Sequence, residues 1–350
     1  MEEEMKKLFF VLMLSLVAVM PIFASSAPAA QHYSVWSLLL GPLGMVAVGM
    51  VLSPANIAGL YTTWKTIFNQ AMAAAVPQYE KVAMVVPSTG KKNGYAWLGA
   101  WPKMREWIGD REFHKLEAFN YEIDNKKWES SISIPEEDIE DDIWQVYEPL
   151  AKALGVVAKM HPDDLVFDLI GNAFTLKGYD GKSFFATDHK SGTNKGTAAL
   201  SFAAGGSYAA AKAALGRVKD SQGKPLFSGG ERDILIVPPE LEEAGRTGLN
   251  ADFISVSSGS TQNNPWKNSA DLIVCPRMVS ATAWIIARPF AGLMPFIYQP
   301  RRLVRFVTKN DPQQSDYTFL TGKYAFGADC RDNAGYGLHQ LAYGSTGAGS

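Results

Sequence analysis

The chain has 350 residues, 47% hydrophobic and 19% charged, and is long enough to bury a substantial core in one large or two ordinary domains. Its formal net charge of -2 at pH 7 gives no overall positive field, which disfavours a dedicated DNA-binding protein but is compatible with a container for DNA. The two cysteines, Cys275 and Cys330, form no Cys-x-x-Cys pair. This excludes a zinc ribbon, a redox motif or a disulfide framework, and we expect both thiols to be reduced and buried.

The first 49 residues carry a signal-like pattern. Lys6 and Lys7 precede an apolar run over residues 8–24, and small residues follow, which is typical of a secretory signal peptide. A second apolar stretch, residues 35–52, is interrupted by glycine and proline and is a poor membrane-spanning helix.

The segment from Ser53 to Met72 is predicted to be an amphipathic helix, because Ser53 is a good N-cap, Pro54 suits the first helical position, and apolar residues follow at helical spacing. Residues 86–135 combine short apolar runs, Gly-rich turns and many aromatic residues. This pattern predicts a long β-hairpin or extended loop, with strands around a turn at 124–127.

The acidic stretch over residues 136–142 is followed by apolar residues at helical spacing, which predicts a long helix over about 138–160. We expect a kink at Pro149 and a break at His161-Pro162, followed by a shorter helix that ends near Ile170. The Gly- and Ser-rich residues 190–206 predict a flexible loop.

From residue 207 onward, helix and strand patterns alternate. Helices are predicted at residues 208–218 and 240–249. Strands are predicted at residues 233–237, 272–275, 282–287, 301–307, 317–319 and 324–330. The result is an α+β fold with a protruding hairpin, one long helix and an α/β core.

The candidates for a catalytic or metal site are Asp180, Asp188 and His189, because a histidine beside carboxylates can act in acid–base catalysis or bind a metal. In the simpler interpretation, which we favour, Asp180-Gly181 forms a tight turn, Asp188 caps a loop and His189 is solvated. No third ligand at metal spacing is evident, and the usual catalytic signatures are missing from the sequence. The sequence therefore predicts no catalytic residue, no cofactor and no metal.

Two charged groups have equally simple interpretations. The acidic run over residues 136–142 lacks the glycine and ligand spacing of an EF-hand and fits a helix start that faces solvent or a basic partner. The basic residues Arg301, Arg302, Arg305 and Lys309 alternate with apolar residues, which favours an exposed strand face over a phosphate site.

Short blocks in a fixed order carry a specific resemblance to a known family. They are Val85-Val-Pro-Ser-Thr89, Tyr95-Ala-Trp-Leu-Gly99, Met104-Arg-Glu-Trp-Ile-Gly-Asp-Arg111, Tyr121-Glu-Ile-Asp-Asn-Lys126, Asp138-Ile-Glu-Asp-Asp142, His161-Pro-Asp-Asp-Leu-Val-Phe167, Tyr179-Asp-Gly-Lys-Ser-Phe-Phe185, Asp188-His189, Phe326-Gly-Ala-Asp329, Arg331-Asp-Asn-Ala-Gly-Tyr336 and Gln340-Leu-Ala-Tyr-Gly-Ser345. On these blocks the chain from about residue 50 to residue 345 resembles the major head (capsid) subunit of Mu-like tailed phages and prophages. His339 departs from the family, which has an aromatic residue there.

The resemblance implies the tailed-phage major capsid fold of the Hong Kong 97 type and a structural role without catalysis. The subunit is expected to self-assemble as hexamers and pentamers into an icosahedral head that encloses double-stranded DNA without sequence recognition. Scaffold or protease and portal proteins are the implied partners. The implied location is the virion, with assembly in the host cytoplasm and no membrane in the mature form.

The resemblance also implies a division of the chain into segments. They are the N-terminal arm at residues 50–85, the extended loop at 86–135, the spine helix and first part of the peripheral domain at 136–194, the axial domain at 195–285, and the return to the peripheral domain at 286–350.

Contacts between subunits are predicted in the extended loop and at the acidic helix start. The proposed residues are Trp97, Trp101, Arg105, Trp107, Arg111, Glu140, Asp141 and Asp142. A tryptophan-rich hairpin cannot bury its aromatic side chains on its own two strands, so it needs a neighbour. We expect its basic residues to meet the acidic helix start of the next subunit.

Two alternatives stay open. An exported periplasmic enzyme using Asp180, Asp188 and His189 agrees with the signal-like N-terminus, and a nanocompartment shell around a cargo enzyme agrees with the same fold. Because an exported subunit cannot join a phage head, we predict that translation starts at or near Met50 and that residues 1–49 are not native. Peptides from residues 2–33 in mature particles would contradict this.

Overall fold

The computed structural model describes residues 54–98, 121–141, 144–219, 223–227, 229–257, 260–309 and 316–349. Its α-helices are α1 Pro54–Ala74, α2 Glu136–Glu140, α3 Glu148–Gly171, α4 Ser207–Gly216, α5 Glu242–Asn250 and α6 Asp316–Thr321. Its strands are β1 Ala83–Val85, β2 Lys92–Gly94, β3 Glu122–Asp124, β4 Lys126–Pro135, β5 Lys195–Gly196, β6 Asp233–Val237, β7 Phe253–Ser257, β8 Ser260–Asn263, β9 Ala270–Val274, β10 Trp284–Ala287, β11 Phe296–Lys309, β12 Lys323–Tyr336 and β13 Ala342–Ser345. Within the described residues, no helix combines the length and apolarity needed to cross a membrane.

One sheet has the strand order β1-β11-β12-β4 and is built on the long antiparallel pair β11 and β12. Side chains alternate between the two faces of a strand, and β12 turns one face inward along its whole length. The buried residues of that face are Tyr324, Phe326, Ala328, Cys330, Asp332, Ala334 and Tyr336. This row forms the floor on which the helices α1 and α3 pack.

Helix α1 confirms the helix predicted from Ser53 to Met72. Pro54 opens it, where a missing backbone N–H costs no hydrogen bond, and the face carrying Leu60, Trp64 and Phe68 is buried. Helices α1 and α3 approach closely at Gly155, where an added Cβ would lie 2.5 Å from the carbonyl oxygen of Phe68. The glycine therefore sets the distance between the two helices.

A second sheet has the strand order β5-β13-β10-β6-β9 and is covered on both faces. Strand β6 confirms its predicted bounds, and all five of its residues are buried, as expected for a central strand with covers on both sides. Leu235 packs with α4 and α5 on one side, whereas Ile234 and Ile236 pack with the end of α3 on the other.

A buried ion pair lies at the end of this sheet where β6 begins and β10 ends. Arg288 donates two hydrogen bonds to Asp233, from Nε to Oδ1 at 2.6 Å and from a terminal nitrogen to Oδ2 at 3.0 Å. Lys212 reaches the same carboxylate at 2.8 Å, and the Arg288 guanidinium lies over the ring of Phe227. The pair joins β6 to the residue that follows β10.

The long helix differs from its prediction at both ends. It begins at Glu148 and runs without interruption to Gly171, so Pro149 lies in its first turn, where proline is tolerated, and produces no kink. Pro162 does not break the helix either, although it removes one backbone hydrogen bond. Burial of Leu154 before it and of Val166 after it holds both halves against the sheets.

The predicted hairpin around residues 124–127 is wrong. Strand β3 pairs with β2, and strand β4 pairs with β12, so the two strands on either side of the turn do not pair with each other. The buried side chain of Asn125 explains the turn, because its amide donates to Ser88 Oγ at 2.7 Å and to the carbonyl of Gly90 at 3.0 Å. The chain thus passes from one sheet to another at Asn125.

Two further predictions are corrected. Residues 317–319 lie in helix α6 and not in a strand, and the acidic Asp316 in the first turn favours this helix start. The loop at 190–206, predicted to be loose, makes defined contacts with the rest of the chain. The buried Asn194 side chain donates to the carbonyls of Phe184 at 2.9 Å and His339 at 3.2 Å.

Candidate functional site

The base of the predicted extended loop is a short antiparallel ribbon. Lys92 pairs with Asp124, and Gly94 pairs with Glu122, so the chain leaves and returns at neighbouring points with residues 95–121 between them. Trp97 lies on this base, half-buried and edge-on to Tyr95 at 6.4 Å between ring centroids. Trp101, Arg105, Trp107 and Arg111 lie outside the described residues.

A buried amide network fixes this base to the first sheet. The fully buried Gln299 of β11 accepts a hydrogen bond from the Tyr95 hydroxyl at 2.7 Å. Its amide donates to the carbonyl of Ile123 at 3.1 Å and to Asn125 Oδ1 at 2.7 Å. These hydrogen bonds of the buried Gln299 amide fix the positions of Tyr95, Ile123 and Asn125. The ribbon of β2 and β3 therefore leaves the first sheet in a fixed direction. No local pattern in the sequence indicates this network.

The acidic stretch begins the five-residue helix α2, with three acidic residues in its first turn as the dipole argument predicts. Ile139 is buried beneath it, which directs Glu140 and Asp141 outward, and both are exposed. Asp142 lies outside the described residues. The described part of the stretch is therefore a small acidic surface beside the first sheet.

Near the start of α3, aliphatic side chains face solvent. Val146, in the 3-10 helix Trp144–Tyr147 just before α3, is 70% exposed. Leu150 and Val157 of α3 are 46% and 54% exposed, and their spacing of seven residues places these two on one face of the helix. Single exposed aliphatic residues are common, but an aligned row on a helix is typical of a contact surface. We call Leu150 and Val157 the outer row of α3.

Asp180 and His189, which the sequence singled out, do meet, and His339 joins them from near the C-terminus. His189 Nδ1 lies 2.5 Å from Asp180 Oδ2, and His189 Nε2 lies 3.2 Å from the carbonyl oxygen of Phe184. The ring of His339 stacks on that of His189 with centroids 3.8 Å apart and planes 10° apart. We call Asp180, His189 and His339 the histidine cluster.

Burial and mutual interactions together shift the pKa values in the histidine cluster. Burial, and then the charge of His189, lowers the pKa of His339 from 6.5 to about 3. Burial alone would raise the pKa of the Asp180 carboxyl, but the hydrogen bond and charge of His189 outweigh it and lower that pKa. The simpler interpretation was therefore right that Asp180 belongs to a turn and wrong that His189 is solvated, since His189 is buried.

The geometry of the histidine cluster does not suit a metal ion. Imidazole binds metals in the plane of its ring, and one ion cannot lie in two parallel planes that are stacked 3.8 Å apart. Both nitrogens of His189 also face oxygen atoms of the protein. Asp188 stays apart, exposed and paired with Lys182. The cluster is thus a buried polar contact that joins residues 180–189 to the C-terminal segment.

Two members of the basic group on β11 share one carboxylate of the neighbouring strand. Arg305 donates two hydrogen bonds to Asp329 on β12, at 2.6 and 3.0 Å, and Arg302 lies 3.2 Å from the same carboxylate. The hydrogen bond from Arg305 lowers the pKa of Asp329. Alternating exposure along β11 confirms the exposed strand face that the sequence favoured.

Comparison with known proteins identifies the family. The family model for the Mu-like prophage major head subunit gpT matches residues 57–207, 203–278 and 277–348, which is most of the chain. The chain belongs to this family. It is 30% identical over 295 residues to the Mu-like prophage FluMu major head subunit of Haemophilus influenzae, covering 83% of this chain and 73% of that protein.

Other relatives agree. The major capsid protein of Escherichia phage Mu is 29% identical over 293 residues, covering 84% of this chain and 74% of that protein. A chain of the procapsid of bacteriophage JBD30 matches with a TM-score of 0.53 and 29% identity, covering 84% of this chain and 76% of that chain. The head subunit thus has the tailed-phage major capsid fold of the Hong Kong 97 type, as the sequence predicted.

These comparisons define the role of the head subunit. Its relatives are named as major capsid or major head subunits, which is a structural role and not a catalytic one. The head subunit is therefore a self-associating component of a phage head, and the alternative of an exported enzyme receives no support.

Proposed function

We propose that the head subunit assembles in the host cytoplasm as hexamers and pentamers of a closed icosahedral shell around double-stranded DNA, together with scaffold or protease and portal proteins. The observation that carries the proposal is the anchored ribbon of β2 and β3. The pairing of β2 with β3 holds the two ends of residues 95–121 next to each other, which an extended loop requires. The family assignment supports assembly into a shell. The near-neutral net charge suits a shell wall that does not bind the phosphates of DNA tightly.

In this proposal the chain divides as the family implies. Residues 50–85 form the arm, 86–135 the extended loop, 136–194 the spine helix with the first part of the peripheral domain, 195–285 the axial domain, and 286–350 the return to the peripheral domain. Helix α1 packs its apolar face on its own subunit, so an arm contact with a neighbour uses the rest of that segment or the outer face of α1.

The extended loop of one subunit is proposed to lie on the start of α3 of the next. The outer row of α3 offers apolar contacts for loop residues that include Trp97, Trp101 and Trp107. The exposed carboxylates of Glu140 and Asp141, together with Asp142, offer charged partners for Arg105 and Arg111. Each such contact is modest, and a closed shell sums many of them.

Electron microscopy of negatively stained particles, combined with sizing, tests the shell. The chain is expressed in full and from Met50, with scaffold and protease proteins supplied if the chain alone stays small. Closed shells or capsomer rings are the expected result. A stable monomer under all these conditions, exported when residues 1–49 are present, would overturn the proposal.

Charge reversal tests the proposed loop contact. The double variant R105E/R111E is expected to give few or no shells, while circular dichroism of the subunit stays unchanged. Adding E140R and D141R should restore assembly, because it recreates opposite charges across the contact. Intact shells from the double variant would exclude this contact.

The outer row is tested by a matched pair at one position. L150E places a charge in the proposed apolar contact and is expected to block assembly, whereas L150M keeps the contact apolar and should assemble like the parent chain. Equal yields of shells from both variants would show that this row is not an interface.

A further inference from the structure

Three side chains with metal-binding atoms converge beneath α3, away from the histidine cluster. Cys330 and Asp332 are alternate residues of β12 and belong to its buried row, and His161 reaches them from α3. The thiol sulfur, a carboxylate oxygen and an imidazole nitrogen all lie within 4.8 Å of one another. His161 precedes Asp332 by 171 positions in the sequence, so no local motif indicates the group.

The distance between the His161 imidazole and the Asp332 carboxylate is close to that expected for two ligands of one tetrahedral metal ion. His161 Nε2 lies 3.2 Å from Asp332 Oδ1. An imidazole nitrogen and a carboxylate oxygen that each lie about 2.0–2.1 Å from a tetrahedral zinc ion are roughly 3.3 Å apart. An ion could therefore replace the hydrogen bond between these two atoms with almost no movement of either side chain.

The surroundings resemble the outer shell of a metal site. The Tyr298 hydroxyl donates to Asp332 Oδ2 at 2.7 Å, so one carboxylate oxygen is held by tyrosine while the other faces His161. The Trp128 ring lies 4.9 Å from the ring of His161 and restricts its orientation. Outer groups of this kind fix the direction of metal ligands and raise affinity.

One side of the group is open. A cleft of about 110 Å³ borders it, lined by His161 and Cys330 with Trp128, Val157, Ala158 and Val304 among its walls. This volume accommodates a water molecule or one ligand atom of a partner. Three protein ligands and one open position match the coordination of zinc sites that keep an exchangeable ligand.

Binding of a divalent cation releases the thiol proton of Cys330 to solvent and joins thiolate, carboxylate and imidazole around one positive charge.

We propose that His161, Cys330 and Asp332 bind one divalent transition-metal ion of the zinc class, with the fourth ligand supplied from the adjoining cleft. A thiolate and an imidazole select zinc, cobalt or similar ions over magnesium and calcium, which prefer oxygen ligands. The ion would fasten α3 to β12, two elements that sequence places far apart. The site goes beyond the proposed assembly role and does not depend on it.

Cobalt spectroscopy on the full chain tests the site directly. Cobalt(II) bound to a thiolate gives a charge-transfer absorption band in the near ultraviolet, and the chain has two cysteines, Cys275 and Cys330. In the C275S variant Cys330 is the sole thiol, so the band must come from Cys330. The expected result is a band in C275S that saturates at one cobalt per chain and disappears when zinc is added.

The absence of this band in both the parent chain and C275S would overturn the proposal. The reciprocal variant C330S should show no band, with its fold checked by circular dichroism. If C330S does not fold, the C275S spectrum decides the matter alone, because that variant leaves the proposed site untouched. A band in a folded C330S variant together with none in C275S would also overturn the proposal, because the thiolate ligand would then be Cys275.

A positioning variant separates a metal site from a hydrogen-bonded cluster. Y298F removes the bond to Asp332 Oδ2 and is expected to weaken cobalt binding by roughly 10- to 100-fold without shifting the absorption band. Cobalt affinity unchanged in Y298F would contradict the proposed orientation of Asp332.

Discussion

Replacing His339 by phenylalanine should remove a large part of the acid sensitivity of the subunit. His339 is buried, and the ionisable side chains that influence its pKa are His189, Asp180 and Lys182. Its pKa is 6.5 when exposed and about 3 in the folded chain. Below pH 6.5 the unfolded chain therefore binds a proton at His339 that the folded chain does not bind. The free energy of unfolding consequently falls as the pH drops from 6.5 towards 3.

The size of the effect follows from these two values. At about pH 4.5, two pH units below the unfolded value, the loss amounts to about 2 to 3 kcal/mol of the free energy of unfolding. Phenylalanine keeps the stacking on His189 and Tyr179 but cannot bind the proton. It also loses the hydrogen bond to Ser191, at a cost of about 1 kcal/mol near neutral pH.

Urea unfolding of the unassembled subunit, followed by circular dichroism at several pH values, measures this difference. H339F should be slightly less stable than the parent near neutral pH and more stable at about pH 4.5, so the two curves cross. The control S191A loses the same hydrogen bond but keeps the imidazole, and its pH dependence should follow the parent. The reasoning is refuted if H339F loses as much stability on acidification as the parent does.

Two matched pairs test the packing of the subunit. G155A should lower the free energy of unfolding by about 1 to 3 kcal/mol, because its Cβ meets backbone at 2.5 Å, whereas G59A on α1 has no atom within 4 Å and should raise it by about 0.5 to 1 kcal/mol. R288M should lower it by about 3 kcal/mol, because Asp233 is fully buried, whereas R232M at an exposed pair should barely move the midpoint of urea unfolding. Equal effects within either pair would contradict the packing described here.

The elements with strong local signals could be predicted from sequence. Strand β6 consists of Asp233 followed by four consecutive apolar residues, and Pro238-Pro239 ends the run. Its observed bounds equal the predicted ones. Helix α1 has an initiating proline and a regular apolar face. In both cases the residues that determine the structure are neighbours in the chain.

Predictions failed where distant contacts outweigh local preference. Pro162 lies inside α3 because Asp163, beside it, accepts backbone hydrogen bonds from Gln78 and Tyr79, which ties the helix to the segment before β1. The turn near Asn125 resembles a hairpin turn, yet its strands pair elsewhere. Local patterns carry no information on such partners.

The same limit applies to the candidate sites. Asp180 and His189 are close in sequence and therefore form a recognisable candidate pair, whereas His339 lies far downstream and no local pattern links it to them. His161 and Cys330 lie on different elements, and nothing in the sequence shows that α3 and β12 bring them together. Both polar groups become visible only when the tertiary structure brings distant segments together.

The polar contacts of the subunit are placed to hold distant segments together. Gln299 of β11 binds the segment of β3 and Asn125, and the Asp233–Arg288 pair joins β6 to the residue after β10. His161 and Asp332 join α3 to β12 in the same way. These bonds fix each segment within one subunit, so the surfaces offered to neighbours can have a defined shape before assembly. Binding between such prepared surfaces avoids the entropy cost of ordering them, which lets individually modest contacts close a shell.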